Sequence, residues 1–213
     1  MLLPGDPGRA LLLAQALLDR PAMFNHHRGL WGYTGTAVDG QPLTIQSTGM
    51  GGPSAAIVIT ELAELGATRL IRVGTCGALA GSLALGDLVI VTDALPDDGA
   101  SRALGASGPL AGDPVLLEAL RMAADGRAQV GRVVSTDLFY DAPEGTERRW
   151  IDAGALAVEM ETASLFTLAS RRGLQGAAVL LVSDLVSPRR RIDADALRTG
   201  EAKMGELALK ALA

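Results

Sequence analysis

Ala177-Ala178-Val179-Leu180-Leu181-Val182 is apolar at every position. A strand with one solvated face alternates apolar and polar residues, so an unbroken apolar run belongs to a strand covered on both faces. This segment therefore calls for a sheet with helices on each side. The rest of the chain supplies both kinds of element. Helical spacing of Leu and Ala runs over 8–19, and Pro53 suits the first turn of a helix reaching about Leu65. Further helices are expected at 114–124, 162–172 and about 194–212. Strands are expected at 31–38, 42–48, 70–73, 87–93, 128–135 and 155–160, with Asp39-Gly40 as a two-residue hairpin turn. A first strand is missing or very short. Residues 96–113 read as a long loop and 185–193 as irregular chain. No repeat or linker divides the 213 residues. The expectation is one domain over 1–213, a three-layer α/β/α arrangement around a central mixed sheet.

Composition removes several classes of function. Hydrophobic residues make up 48%, too many for a disordered chain, and the formal net charge of -5 argues against a nucleic-acid or anionic-membrane partner. No apolar run approaches the roughly 18 residues of a membrane span. The single cysteine, Cys76, cannot form a disulfide within the chain. With no basic, cleavable leader at Met1-Leu2-Leu3, a reducing cytoplasmic setting is expected.

In sheets of this kind ligands collect at the carboxyl ends of strands. Arg72-Val73-Gly74-Thr75, Glu159-Met160-Glu161 and Ser183-Asp184 all fall at such ends. Three arginines lie beside glycines: Arg9 after Gly5 and Gly8, Arg28 before Gly29, and Arg72 before Gly74. Glycine turns let backbone N–H groups approach a ligand, and the guanidinium fork matches phosphate oxygens. Arg9, Arg28, Arg72 and Thr75 would suit free phosphate or a phosphate ester. The Gly-x-x-x-x-Gly-Lys cradle is absent, and so is Gly-x-Gly-x-x-Gly, because the glycine after Gly77 is Gly81. Glu161 can accept bonds from two vicinal hydroxyls. A partly buried Asp184 can hold a proton for a leaving group near neutral pH, with Arg198 or one of Arg189 to Arg191 within reach. The bland alternatives are solvated arginines, Asp184 as a helix cap, and Cys76, His26 and His27 as structural or solvated groups. No Cys, His or carboxylate spacing suggests a metal.

Seven segments in order resemble the nucleoside phosphorylase family, in particular purine nucleoside phosphorylases of the hexameric bacterial type. They are Leu3–Ala10, Arg28–Gly35, Gly49–Ser54, Arg72–Ala78, Ser135–Tyr140, Val158–Glu161 and Ser183-Asp184. The resemblance implies reversible phosphorolysis of purine ribonucleosides or 2′-deoxyribonucleosides to free base and pentose 1-phosphate, in purine salvage. Phosphate is then a co-substrate, and no metal or organic cofactor is needed. It implies a phosphate shell of Gly5, Arg9, Arg72 and Thr75, joined by Arg28 from a neighbouring subunit. Met50, Phe139, Val158, Glu159, Met160 and Glu161 would contact the nucleoside, with Glu161 on the sugar hydroxyls. Asp184 would protonate purine N7, assisted by Arg198. The implied assembly is a homohexamer, a trimer of dimers.

Uridine phosphorylases resemble the same segments but carry a Gln and an Arg after the Phe-Tyr pair. Residues 141–158 contain no Gln, which favours purines. A uridine phosphorylase, a 5′-methylthioadenosine phosphorylase or nucleosidase, and a non-catalytic nucleoside-binding protein are the alternatives. The family's histidine that reaches a neighbour's 5′-hydroxyl has no match here, which leaves 5′ preference open.

Overall fold

The computed structural model describes residues 1–140 and 142–213; Asp141, the first residue of the 141–158 stretch, lies outside the described residues. The all-apolar run sits inside strand β10 (Gln175–Leu185), which is central as expected. It pairs in parallel with β5 (Arg69–Ala78) on one side and antiparallel with β6 (Leu88–Asp97) on the other. β6 pairs with β8 (Ala128–Thr136), β8 with β9 (Ala157–Glu159), and β9 with β5. These five strands thus close on themselves. Beyond β5 the sheet continues through β1 (Leu2–Leu3), β4 (Pro42–Gln46), β3 (Gly32–Ala37) and β2 (Leu18–Asn25). Parallel and antiparallel pairs coexist, so the sheet is mixed.

Side chains of β10 alternate between two cores, as the two-residue strand period requires. Ala177, Val179 and Leu181 pack with Leu13 of α1 (Pro7–Leu17), Leu116 of α4 (Pro114–Ala124) and Met204 of α7 (Ala194–Lys210). Ala178, Leu180 and Val182 pack with Ile59 of α2 (Gly52–Glu64) and Phe166 of α6 (Thr162–Arg172). Both faces are covered, and the three-layer expectation holds. Aspartates start four helices: Asp6, Asp113 and Asp193 accept backbone N–H bonds at the N-termini of α1, α4 and α7, and Asp98 does so at a short helix over Gly99–Ala103.

Several expected elements need correction. The helix expected over 8–19 ends at Leu17, and the chain passes directly into the edge strand β2. The strand expected over 70–73 does not stop at the glycines; β5 runs through Gly74 and Gly77 to Ala78. The expected loop over 96–113 holds the end of β6, a short helix α3 (Gly99–Ala103) and β7 (Leu110–Ala111). A helix α5 (Thr146–Asp152) was not expected; Trp150 Nε1 ties it to Asp97 at 2.7 Å. Asp184 lies within β10 rather than after it, and β11 (Arg190–Arg191) folds back beside it. Among the described residues no helix is long and apolar enough to cross a membrane.

Candidate active site

The site is built where β1 and β9 end beside the interior of β5. Parallel pairing sets Leu3 beside Arg72, so the turn after β1 brings Gly5 alongside β5 near Arg72. Arg9, on the first turns of α1, is buried and reaches the same strand, donating Nη1 to the Val73 carbonyl at 3.2 Å. Its Nε donates to Glu201 of α7 at 2.8 Å. Glu201 was not foreseen as part of the site; its only signal was its place on an amphipathic helix.

Arg72 is 5% exposed and lies between two carboxylates. Nε donates to Glu159 Oε2 at 2.9 Å, and Nη2 pairs with Glu161 Oε2 at 2.5 Å. Nη1 faces the Gly5 turn: a Cβ on Gly5 would stand 3.9 Å from it. Gly74 makes room for the guanidinium, since a Cβ there would meet Nη2 at 2.6 Å. Burial alone works against the charge on Arg72, but the two carboxylates outweigh it and push its pKa up. Thr75, three residues on, is half-buried.

Glu161 is buried at the start of α6, and its second oxygen accepts the Gly51 N–H. Gly51 has φ +85°, a left-handed value that glycine adopts without steric cost. Burial first, and Glu159 second among the groups that raise it, push the Glu161 carboxyl above its ordinary value; Arg72, the Gly51 N–H and Arg9 pull the other way. The sign follows from linkage. A carboxyl whose folded pKa is raised contributes stability below its unfolded value, and that contribution is lost as pH rises through the folded value. The Glu161→Gln variant has no such group. Its stability relative to wild type should therefore improve as pH climbs from about 4.5, while its activity falls. Denaturant melts of both proteins across that range check this; a constant difference would refute it.

Glu159, expected on the nucleoside, has both oxygens committed to protein donors and a side chain with no exposed surface. Met160 and Val158 beside it are half-buried. Met50 and Phe139 are far more open, at 85% and 62% exposed. Phe139 meets Tyr140 edge-on with ring centroids 4.8 Å apart.

Asp184 Oδ2 accepts the Ser183 hydroxyl at 2.7 Å, and Oδ1 pairs with Arg191 Nε at 3.2 Å. The antiparallel register of β10 and β11 sets these two residues directly opposite. Arg198, the arginine expected to assist Asp184, is exposed on α7 and makes no ion pair among the described residues. Of the candidates near Asp184, Arg191 is the one in contact. Arg28 is exposed in the turn after β2, with φ +55°. The structure therefore brings together Gly5, Arg9, Arg72, Glu159 and Glu161, while Arg28 and Arg198 are exposed and make no ion pair among the described residues.

Over residues 1–213 the chain matches the family model described as the phosphorylase superfamily. It is 36% identical over 217 residues to a protein of Clostridium perfringens (strain ATCC 13124) named purine nucleoside phosphorylase DeoD-type, covering 99% of this chain and 92% of that one. Two proteins with the same name are 38% identical to it. One, from Jannaschia sp. (strain CCS1), covers 99% of this chain and 92% of its own length. The other, from Caldanaerobacter subterraneus subsp. tengcongensis, covers 97% and 86%.

Proposed function

The chain belongs to the phosphorylase superfamily, and on that premise we propose that it catalyses the reversible phosphorolysis of purine nucleosides to free base and pentose 1-phosphate. The relatives that share its length carry the purine nucleoside phosphorylase name. The observation that carries the reading is the placement of Arg72. Two of its nitrogens are tied to carboxylates, and the third, Nη1, faces the Gly5 turn with buried Arg9 bonded to the next residue of the same strand, Val73. Phosphate seated there lies next to Glu161, whose oxygens suit the two ribose hydroxyls.

In the proposed reaction the C1′–N9 bond breaks with oxocarbenium character. A phosphate oxygen forms the new bond to C1′, and the electron pair of the broken bond leaves with the purine. Asp184 gives its proton to N7, so the base departs neutral. The hydrogen bond from the protonated Asp184 carboxyl to N7 strengthens as the base gains electrons, and it therefore accelerates the reaction rather than only binding substrate. The proposed chemistry uses phosphate as co-substrate and neither metal nor organic cofactor. Both 6-oxo and 6-amino purines, and both ribose and 2′-deoxyribose, fit it. The exposed Arg28 is proposed to complete a neighbour's phosphate shell in a hexamer built as a trimer of dimers; a fully active monomer would rule this out. The proposed setting is the cytoplasm.

Release of base from inosine, adenosine and uridine, with and without phosphate, tests the reading. Phosphate-dependent cleavage of the two purine nucleosides alone is expected. Cleavage without phosphate would make the protein a nucleosidase, and cleavage of uridine would overturn the purine assignment.

A further inference from the structure

The Glu159 carboxylate does more than neutralise Arg72. Its Oε2 accepts from Arg72 Nε at 2.9 Å and from the Glu161 backbone N–H at 3.0 Å. The Thr162 N–H lies 3.0 Å from both oxygens. Oε1 also accepts the Ser135 hydroxyl, whose own oxygen accepts the Ala163 N–H at 2.9 Å. A single oxygen atom thus ties the guanidinium proposed to hold phosphate to the backbone that carries the carboxylate proposed to hold ribose. The strand register supports this, because Ser135 of β8 stands beside Glu159 of β9. By contrast Glu161 has one backbone donor and one guanidinium on its oxygens, so it is the more adjustable of the two.

We propose that Glu159 is a positioning residue that sets the register between the phosphate arm and the ribose arm of the site, and that it does not itself contact the nucleoside. This rests on the phosphorolytic reading above. Attack on C1′ needs phosphate and sugar aligned within a fraction of an ångström, and a misplacement of about 1 Å costs about 10²-fold in rate. With Glu159 weakened, Arg72 still binds phosphate and Glu161 still binds the sugar. What is lost is their alignment, and an oxocarbenium-like sugar that phosphate fails to capture is open to water, which yields free pentose.

The test is Glu159→Gln, which keeps the size of the side chain but turns an amide N–H2 toward donors on one side. Separate binding of inosine and of inorganic phosphate, each measured alone, is expected to stay within about threefold of wild type. The phosphorolytic kcat is expected to fall about 10²-fold, and the share of inosine cleaved to free ribose rather than ribose 1-phosphate is expected to rise. Inosine binding weakened by about tenfold or more in the absence of phosphate would make Glu159 a direct nucleoside ligand and overturn the proposal. Equal loss of both products would reduce it to a general structural group and would also overturn it. Ser135→Ala, which removes the hydroxyl from Oε1 and the acceptor from the Ala163 N–H but leaves the Arg72 and Glu161 bonds to Oε2, provides a milder variant and is expected to repeat the pattern at smaller amplitude. If neither variant folds, Glu159 is a folding residue and the proposal fails. Wild-type cleavage that ignores phosphate would instead defeat the underlying functional reading before any variant is compared.

Discussion

Replacing Arg72 with alanine is expected to weaken phosphate use by about 10²- to 10⁴-fold and to destabilise the fold by about 3–5 kcal/mol. The first figure follows from losing about two charge-assisted hydrogen bonds to phosphate, each worth about 1.5–3 kcal/mol. The second follows from what remains behind. Glu159 and Glu161 are both buried, and Arg72 is the cation that pairs with both. Removing one partner of a buried ion pair leaves charge with no compensation, which costs more than the pair itself contributes. The same logic gives the control. Adding Glu161→Gln to the alanine variant removes one stranded carboxylate and should recover part of the stability while recovering none of the phosphate dependence. Initial rates against phosphate concentration and denaturant melts at neutral pH measure both effects. A variant with the wild-type phosphate response would remove Arg72 from the phosphate site, whatever its stability.

That two-part outcome shows why the site was only partly legible in the sequence. Residue types with strong chemical preferences were readable: Arg72 beside glycines, Glu161 opening α6, and Asp184 shortly after the apolar run. β10 was readable because six consecutive apolar residues leave no solvated face. The partners that hold these residues were not readable, because they arrive from distant segments. Glu201 meets Arg9 across 192 positions, and Arg72 meets Glu159 across 87. The pairing of β10 with β6, which closes the five-strand ring, is non-local in the same way.

Local misreadings have local causes. Leu17 and Leu18 prolong the 3.6-residue pattern, so the first two residues of β2 read as the end of a helix. β2 then exposes six successive residues and gains its hydrogen bonds from β3 alone, which leaves no two-residue apolar alternation to find. α3 has only five residues, too few for a periodic signal, and depends on Asp98, which accepts the Ser101 N–H at 2.8 Å. Glu159 and Glu161 share a parity that would put both on one strand face. β9 ends at Glu159, so the parity breaks there, and the two carboxylates meet different nitrogens of Arg72.

The other large effect concerns the leaving group. Asp184→Asn is expected to slow phosphorolysis of inosine by about 10²- to 10⁴-fold, the range over which a positioned acid contributes. Asparagine keeps the shape of the side chain and can still meet the Ser183 hydroxyl and Arg191, which hold Asp184 at 2.7 and 3.2 Å. It brings no acidic proton, so the purine would have to leave as an anion. A nucleoside already alkylated at N7 separates the acid role from every other one. In 7-methylinosine the base carries its positive charge before the bond breaks and departs without protonation. Asp184→Asn should therefore cost less than about tenfold on that substrate while the loss on inosine stays in full. Equal losses on both would mean that Asp184 acts by shaping the pocket or holding the β10–β11 hairpin. The proton would then have to come from elsewhere, because a purine anion is a poor leaving group at neutral pH whichever residue surrounds it.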